Sequence, residues 1–176
     1  MNELFFDCAA FEEYRVDLPY PRASIPEHNL RQAALISGAY AGQGSETTAI
    51  AQYATHRFFT AEYPDVYKAY LYIAATEMIH FSLLGELILA LGLKPALYSY
   101  ETDAFWVGSN PDYQFHLAEI LQSDLKGERD AIAHYTRLIA QIDNPSIQTL
   151  FRRIILDEEK HVRLLSELYD RYFRNT

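Results

Sequence analysis

The sequence is poor in the residues that cross-link or interrupt a fold. It contains one cysteine, Cys8, which excludes an intramolecular disulfide and any Cys-x-x-Cys metal or redox motif. Only seven glycines and seven prolines stand among 176 residues, and this scarcity favours long helices. There is no charged-then-apolar leader and no long uncharged apolar run, so the sequence predicts a soluble, cytoplasmic protein without a membrane partner.

Positive charge is also scarce. The chain has 15 lysines and arginines against 24 aspartates and glutamates, and the formal net charge of −9 argues against nucleic acid as a partner. By contrast, 49% of the residues are hydrophobic and 14% are aromatic, which argues against disorder. A chain of this length and composition is expected to form one domain with a substantial core.

Helical patterns cover most of the chain beyond residue 26. Residues 1–26 are mixed and contain several prolines, which predicts an N-terminal arm with a short helix at 7–14. Four helices are predicted after the arm, and the glycines at 38, 42 and 44 are expected to weaken the first helix without ending it. Prolines suit the first turn of the second and fourth helices. The predicted helices span residues 27–63, 64–91, 111–142 and 145–173.

The lengths of the links predict how these helices are arranged. Short links join the first helix to the second and the third to the fourth, and short links make antiparallel neighbours. The link at 93–110 is predicted to lack regular structure, and at ~3.3 Å per residue it is long enough to run the length of a bundle. We therefore predict an all-α four-helix bundle over residues 27–176, in up-down-down-up order, with a long crossover between helices two and three.

Two segments of the chain are repeated. ETTAIAQY at 46–53 aligns with ERDAIAHY at 128–135, and YIAATEMIHFSLLGEL at 72–87 aligns with RIILDEEKHVRLLSEL at 153–168. The two offsets differ by a single residue, which one extra loop residue explains. The repeat retains glutamates, histidines and tyrosines as well as apolar positions, and a hydrophobic core alone would not require this.

Each half of the repeat carries a Glu-x-x-His pair and a lone glutamate upstream of it. Residues i and i+3 of a helix lie on one face, so each pair can serve one metal region. The side chains also lie at similar distances from the turn of their own hairpin, so they are expected to converge at one level of the bundle. A single Glu-x-x-His is common on solvated helix faces, but a duplicated set within apolar stretches is not. The predicted metal ligands are Glu46, Glu77, His80, Glu128, Glu158 and His161.

The residue types of this set indicate which metals it would hold. Carboxylates bridge and neutralise two cations, while imidazole suits iron and manganese among the first-row metals. We predict two metal ions per chain, Fe or Mn, and the sequence leaves the choice between them open. The remaining histidines match no repeated pattern and are interpreted as structural or surface residues: His28, His56, His116 and His134.

Two tyrosines and two further glutamates are also repeated. Tyr53 and Tyr135 each follow a predicted ligand by about two helical turns on the same face. Core packing is the simplest interpretation of a tyrosine, and the functional alternatives are a hydrogen bond to a ligand carboxylate or a redox role in catalysis; we favour the hydrogen bond. Glu86 and Glu167 lie about 180° round the helix from their ligand glutamates and are interpreted as surface or interface charges.

These motifs resemble those of the ferritin-like superfamily, which includes bacterioferritins, rubrerythrins and manganese catalases. The resemblance covers the four predicted helices and depends on SETTAIAQY, TEMIHFSLLGEL, GERDAIAHY and ILDEEKHVRLL. It implies that Glu77 and Glu158 bridge the metals and that Asp157 orients the histidine of the second helix. Thr76 stands where the reciprocal aspartate would be. With one cysteine, the chain lacks the cysteine-bound rubredoxin domain of rubrerythrins.

Three functions are compatible with these observations. The resemblance and the ligand set favour a di-iron or di-manganese oxidoreductase that acts on hydrogen peroxide or dioxygen, in the manner of a catalase or peroxidase. The first alternative is a ferroxidase or another iron-handling protein. The second is a non-enzymatic structural or interaction bundle that uses the aromatic crossover at 97–115 as its contact surface. The expected partners are a small-molecule substrate, an electron donor protein and further copies of the chain.

Overall fold

Helices account for most of the structure. The computed structural model describes residues 6–174, in which a short helix precedes the bundle and a two-stranded antiparallel hairpin lies in the crossover. The prediction of an all-α four-helix bundle is confirmed. The elements are α1 (Cys8–Phe11), α2 (Leu30–Ala41), α3 (Glu46–Phe59), α4 (Pro64–Ala90), β1 (Tyr98–Ser99), β2 (Ala104–Phe105), α5 (Leu117–Gln141) and α6 (Pro145–Phe173).

Two apolar clusters lie in the bundle, and their membership defines the directions of the helices. One cluster combines the end of α4 with the start of α6. The other combines the start of α4 with the start of α5 and the end of α6. Helices α4 and α5 therefore run parallel, as the long crossover predicted, and α6 runs antiparallel to both. The clusters include Leu84, Ile88, Ile147 and Ile154 in the first case and Val66, Ile73, Leu121 and Leu165 in the second.

The prolines at the two hairpin turns begin their helices as predicted. Pro64 and Pro145 stand in the first turns of α4 and α6, where an N–H would lack a helical partner in any case. Asn144 caps α6, because its side chain accepts hydrogen bonds from the N–H of Ser146 at 2.9 Å and of Ile147 at 3.3 Å.

The prediction of one continuous first helix is wrong, because the chain divides there into α2 and α3. A Cβ at Gly42 would lie 2.4 Å from the carbonyl oxygen of Gly38, so the backbone at this point accommodates only glycine. Ser45 then caps α3, its hydroxyl accepting from the N–H of Thr48 at 3.4 Å. Glycine followed by a capping serine is a stop-and-start signal. As a result, Glu46 is the first residue of α3 rather than a mid-helix residue.

The crossover also differs from its prediction. It contains the β1–β2 hairpin, and α5 begins later than predicted. The N–H of Asp112 donates to Gln52 at 2.8 Å, and the N–H of Gln114 donates to Nε2 of His56 at 3.2 Å. These two N–H groups bond to α3 rather than within a helix, and α5 begins only at Leu117. At the other end of the chain, α1 is shorter than the helix predicted at 7–14.

The segment that follows α1 lies across the bundle. Residues 12–29 contain neither helix nor strand. Arg153 of α6 donates to the carbonyl oxygen of Val16 at 2.6 Å, and the N–H of Asn29 donates to the carbonyl oxygen of Leu91 at 3.0 Å. This segment, which includes the end of the N-terminal arm, is therefore hydrogen-bonded to α6 and to the end of α4.

Helix α4 is long and apolar enough to cross a membrane. Among residues 6–174, no other helix meets both conditions. In this fold, 39% of its most apolar window is buried within the protein. A long, apolar core helix of a soluble protein has the same length and composition, so these two properties do not identify a membrane span. The cytoplasmic location stays a prediction.

Gly92 ends α4 with a left-handed backbone. Its φ is 100°, its N–H donates to Leu89 at 3.1 Å, and the N–H of Leu93 donates to Ile88 at 3.0 Å, which together form a Schellman cap. A Cβ at this position would also lie 3.0 Å from the ring of His28. We expect Gly92→Ala to destabilise the protein by ~1–2 kcal/mol, because alanine disfavours this backbone region. Urea denaturation measures the change.

Gly127 supplies a control, because alanine at this position is expected to change the stability in the opposite direction. It lies inside α5, and a Cβ there would meet no described atom within 4 Å. Alanine at this position is expected to stabilise the protein by ~0.5–1 kcal/mol, because it restricts the unfolded chain and favours the helix. Similar changes in stability for Gly92→Ala and Gly127→Ala would contradict the capping role of Gly92.

Candidate metal centre

The six predicted ligands meet at one level of the bundle, between the two apolar clusters. Helices α3 and α5 each supply one glutamate, and α4 and α6 each supply a Glu-x-x-His pair. Every one of these residues is at most 5% exposed, although glutamate is normally a surface residue. The apolar residues on either side drive the helices together and carry the charged set into the core. The six residues are Glu46, Glu77, His80, Glu128, Glu158 and His161.

Glu77 and Glu158 connect the two histidines. Glu77 places Oε2 3.0 Å from Nδ1 of His80 and Oε1 2.9 Å from Nδ1 of His161. Glu158 places Oε1 3.2 Å from Nδ1 of His80 and Oε2 3.2 Å from Nδ1 of His161. Each of these two carboxylates therefore spans the centre.

Glu46 and Glu128 each belong to one side of the centre. Oε2 of Glu46 lies 3.8 Å from Nδ1 of His80, and Oε2 of Glu128 lies 3.5 Å from Nδ1 of His161. The six residues thus form two four-residue groups that share the two spanning glutamates. This pseudo-twofold arrangement matches the internal repeat of the sequence.

The donor atoms of both groups suit metal ions. In each group, one donor atom from every residue lies within 4.8 Å of the others. Ligands on opposite sides of a first-row ion lie up to ~4.4 Å apart, so small side-chain movements would close each group around an ion. Oε1 of Glu77 and Oε1 of Glu158 are buried, and the imidazole nitrogens that lie 2.9 and 3.2 Å away are not oriented to make a hydrogen bond to either oxygen. Buried oxygens without a donor are what a cation would satisfy.

Burial and mutual repulsion shift the pKa values of the outer glutamates. Burial, followed by the charges of Glu77 and Glu158, raises the pKa of Glu46 well above its ordinary value. Burial also raises the pKa of Glu128 well above its ordinary value, against the opposing effect of the nearby imidazole. Four carboxylates this close together cannot all be ionised unless positive charge lies among them.

The histidines supply part of that positive charge. Burial by itself would raise the pKa of Glu77, but His161 and His80 outweigh it and hold that pKa below its usual range. Burial lowers the pKa of both histidines, yet the surrounding carboxylates outweigh it and raise both pKa values well above the ordinary value. Two divalent cations, if bound, would replace this charge, because their four positive charges balance the four carboxylates and a histidine that binds a metal through Nδ1 is neutral.

Tyr53 and Tyr135 hydrogen-bond to the outer glutamates. The hydroxyl of Tyr53 donates to Oε1 of Glu128, and that of Tyr135 donates to Oε1 of Glu46. Burial raises the pKa of each tyrosine well above its ordinary value, so both remain neutral donors. The hydrogen bonds favoured by the sequence are present, but each crosses to the other half of the repeat. Each bond leaves Oε2 of its glutamate facing a histidine.

The outer nitrogens of the two histidines have different partners. Asp157 lies beside His80, as the resemblance implied, with Oδ2 3.2 Å from Nε2. The hydroxyl of Thr76 does not contact the second histidine, because it donates at 3.1 Å to a carbonyl oxygen of its own helix. The carbonyl oxygen of Tyr14 lies 3.1 Å from Nε2 of His161 and stands in place of the absent aspartate.

Three of the residues around the centre were not predicted from the sequence. The hydroxyl of Tyr20 donates to Oδ2 of Asp157 at 2.6 Å, and Arg153 lies 2.7 Å from the same oxygen. Tyr14 contributes a backbone carbonyl, which has no signature in a sequence. Arg153 does carry a signal, because it stands four residues before Asp157 on one helix face.

His56 lies outside the cluster, as interpreted from the sequence, but it is fully buried. Its Nδ1 lies 3.0 Å from Oδ2 of Asp124, and its Nε2 accepts from the N–H of Gln114 at 3.2 Å. Gln52 also donates to Asp124 at 2.7 Å. This polar network joins α3, α5 and the crossover to one another.

A cavity of about 340 Å³ leads from the surface to the centre. The break between α2 and α3 forms one edge of it, at Gln43 and Gly44. His134, interpreted from the sequence as a structural or surface residue, lines the cavity and is half-buried. The deep wall includes residues of the cluster and its tyrosines: Glu46, Tyr53, Glu77, Glu128, Tyr135 and Glu158. Small molecules therefore have a route to the carboxylates.

A four-helix bundle with glutamates and two Glu-x-x-His pairs in its core defines the class of carboxylate bundles that suit a pair of metal ions. The chain belongs to the ferritin-like family: the family model of the ferritin-like domain matches residues 43–174, which include all six clustered residues. The resemblance inferred from the sequence motifs is thereby confirmed.

Several solved structures share this fold. A manganese catalase from Anabaena has a TM-score of 0.81 at 20% identity, covering 96% of this chain and 81% of that chain. A bacterioferritin-related protein from Bacteroides fragilis, described as a dodecameric thioferritin, has a TM-score of 0.67 at 20% identity, covering 84% of this chain and 90% of that chain. The Rhodobacter capsulatus bacterioferritin, described with a metal-free dinuclear site and heme iron, has a TM-score of 0.63 at 27% identity. The match covers 84% of this chain and 89% of that chain. No curated protein matches the chain.

Proposed function

We propose that this protein is a di-metal oxidoreductase that acts on hydrogen peroxide or dioxygen, with two Fe or two Mn ions as its cofactor. The observation that carries this proposal is the pair of buried four-residue groups that share Glu77 and Glu158. When bound, such ions supply reversible electron transfer to an O–O bond. The residues that would hold them are Glu46, Glu77, His80 and Glu158 on one side and Glu77, Glu128, Glu158 and His161 on the other.

The chain's own residues provide charge, orientation and access. The four carboxylates balance the charge of two divalent cations. Tyr53 and Tyr135 hold the outer glutamates so that one oxygen of each faces the centre. The apolar clusters on both sides limit the entry of bulk water, while the cavity leaves a route for a small substrate.

Iron handling is the second candidate function. It is supported by the 27% identity with the Rhodobacter capsulatus bacterioferritin over 84% of this chain. In either case we propose that the chain forms a homo-oligomer, as the related protein described as dodecameric does. Light scattering discriminates between the candidates, because a large hollow assembly favours iron storage and a dimer or hexamer favours the oxidoreductase.

Metal analysis paired with a peroxide assay tests the proposal. Separate samples are loaded with Mn²⁺ or Fe²⁺, desalted and analysed for metal per chain, and each then receives hydrogen peroxide. We expect about two ions per chain and peroxide loss in at least one sample. Release of one O₂ for two H₂O₂ indicates disproportionation, whereas loss that requires an added reductant indicates a peroxidase. Fewer than one ion per chain in both samples would overturn the proposal.

A further inference from the structure

The N-terminal arm contacts both histidines of the centre. Each histidine turns Nδ1 towards the glutamates and leaves Nε2 on the outside. The carbonyl oxygen of Tyr14 lies 3.1 Å from Nε2 of His161. The hydroxyl of Tyr20 lies 3.5 Å from Nε2 of His80 and donates at 2.6 Å to Asp157, which itself lies 3.2 Å from that nitrogen.

These contacts require a proton on Nε2 of each ring. A carbonyl oxygen can only accept, so Nε2 of His161 must donate to Tyr14. Asp157 already accepts from the hydroxyl of Tyr20 and from the N–H of Val16, an arrangement that suits a carboxylate, so the nearby Nε2 of the other histidine donates to it as well. A neutral imidazole with its proton on Nε2 has a free lone pair on Nδ1. When a metal ion replaces the proton on Nδ1, both lone pairs face the glutamates, where the ion needs them.

The arm is itself held in place by buried polar contacts. The N–H of Val16 donates to Oδ1 of Asp157 at 2.6 Å. Arg153, only 5% exposed, donates to Val16 at 2.6 Å and to the carbonyl oxygen of Leu18 at 2.9 Å. Its guanidinium also lies over the ring of Tyr20, 4.3 Å from the centroid. These bonds limit the movement of the atoms that face the histidines.

We propose that the arm segment at 14–20 is a positioning element of the metal centre, which holds both histidine rings with Nδ1 directed at the ions. This inference rests on the proposed function, since it requires that the centre bind metal. The coupling is reciprocal: if the arm favours metal binding, bound metal must stabilise the docked arm by the same factor.

Tyr20→Phe tests the proposal while keeping the aromatic ring over Arg153. The variant removes only the hydroxyl that supports Asp157. Partners that orient a ligand histidine typically change metal affinity ~10–100-fold, so we expect Tyr20→Phe to bind Mn²⁺ more weakly by that factor. Titration with Mn²⁺ alone, followed by the paramagnetic resonance signal of the free ion, measures the affinity without reference to activity.

Tyr172→Phe is the matched control. It removes another tyrosine-to-aspartate hydrogen bond, from Tyr172 to Asp65 at 2.5 Å, which involves none of the clustered residues. We expect its Mn²⁺ affinity to equal that of the unmodified chain. Melting of both metal-free variants shows whether a change in affinity merely follows a change in stability.

Hydrogen exchange provides the reciprocal measurement. Bound Mn²⁺ is expected to slow amide exchange in segment 14–20 of the unmodified chain by ~10-fold, and by less in Tyr20→Phe. Equal Mn²⁺ affinities for the unmodified chain and Tyr20→Phe would overturn the positioning role and leave the proposed function standing. Arm exchange that is insensitive to Mn²⁺ would do the same. An unmodified chain that binds no Mn²⁺ or Fe²⁺ would instead remove the proposed function, and this inference with it.

Discussion

Replacing either of the spanning glutamates by glutamine is expected to abolish binding of the metal pair. Glu77→Gln and Glu158→Gln keep the size of the side chain but remove the negative charge that a cation requires. Because each carboxylate reaches both histidines, a single change affects both four-residue groups. We expect metal content to fall from about two ions per chain to fewer than one, with loss of any metal-dependent activity. Elemental analysis after loading with Mn²⁺ or Fe²⁺ checks this.

The internal repeat supplies matched controls for these variants. Glu86 and Glu167 lie later in the same two helices, on the exposed side of each. Glu86→Gln and Glu167→Gln make the same chemical change and are expected to leave metal content unchanged. A chain that retains both ions after Glu77→Gln would contradict the metal centre and favour a structural or interaction bundle.

Removing the metals is expected to lower the melting temperature. A ligand present at 100 times its dissociation constant stabilises a folded protein by ~2.7 kcal/mol. For a chain of this size, each kcal/mol corresponds to ~2–4 °C, so the loss is expected to be about 5–10 °C. The physical reason is that the ions balance four buried carboxylates that otherwise depend on two imidazoles. Calorimetry of Mn²⁺-loaded and chelator-treated protein measures the difference.

The glutamine variants separate this effect from non-specific binding of metal. Glu77→Gln is expected to melt at the same temperature with and without Mn²⁺, whereas Glu86→Gln should keep the full metal-dependent shift. A melting temperature of the unmodified chain that does not respond to saturating Mn²⁺ or Fe²⁺ would show that the centre does not couple metal binding to folding.

The limits of α4 and α6 could be predicted because the signals for them are local. Pro64 and Pro145 begin these helices, and Gly92 follows the end of α4. The break before Glu46 also had a local signal, in Gly42 and the capping Ser45, but the glycines were expected to weaken the helix without ending it. The start of α5 had no local signal. It depends on hydrogen bonds from the crossover to α3, and these bonds form only when the chain is folded.

The metal centre likewise has features that the sequence predicts and features that only the fold reveals. Helical phase and the repeat were sufficient to select the six clustered residues, because phase determines which face of a helix a side chain occupies. Phase does not determine which residue of another helix lies opposite. For that reason the partners of Tyr53 and Tyr135 emerged only in the fold, where each tyrosine crosses to the glutamate of the other half.

The sequence by itself therefore determined the bundle, the ferritin-like resemblance and the identity of the clustered glutamates and histidines, all of which depend on spacing along single helices. Only the tertiary structure decided how Nδ1 of each histidine comes to face the centre. That depends on Tyr14 and Tyr20 of the arm, which lie far along the chain from His161 and His80. A backbone carbonyl or a lone tyrosine in an irregular segment leaves no periodic pattern, and its partner is set by packing rather than by spacing.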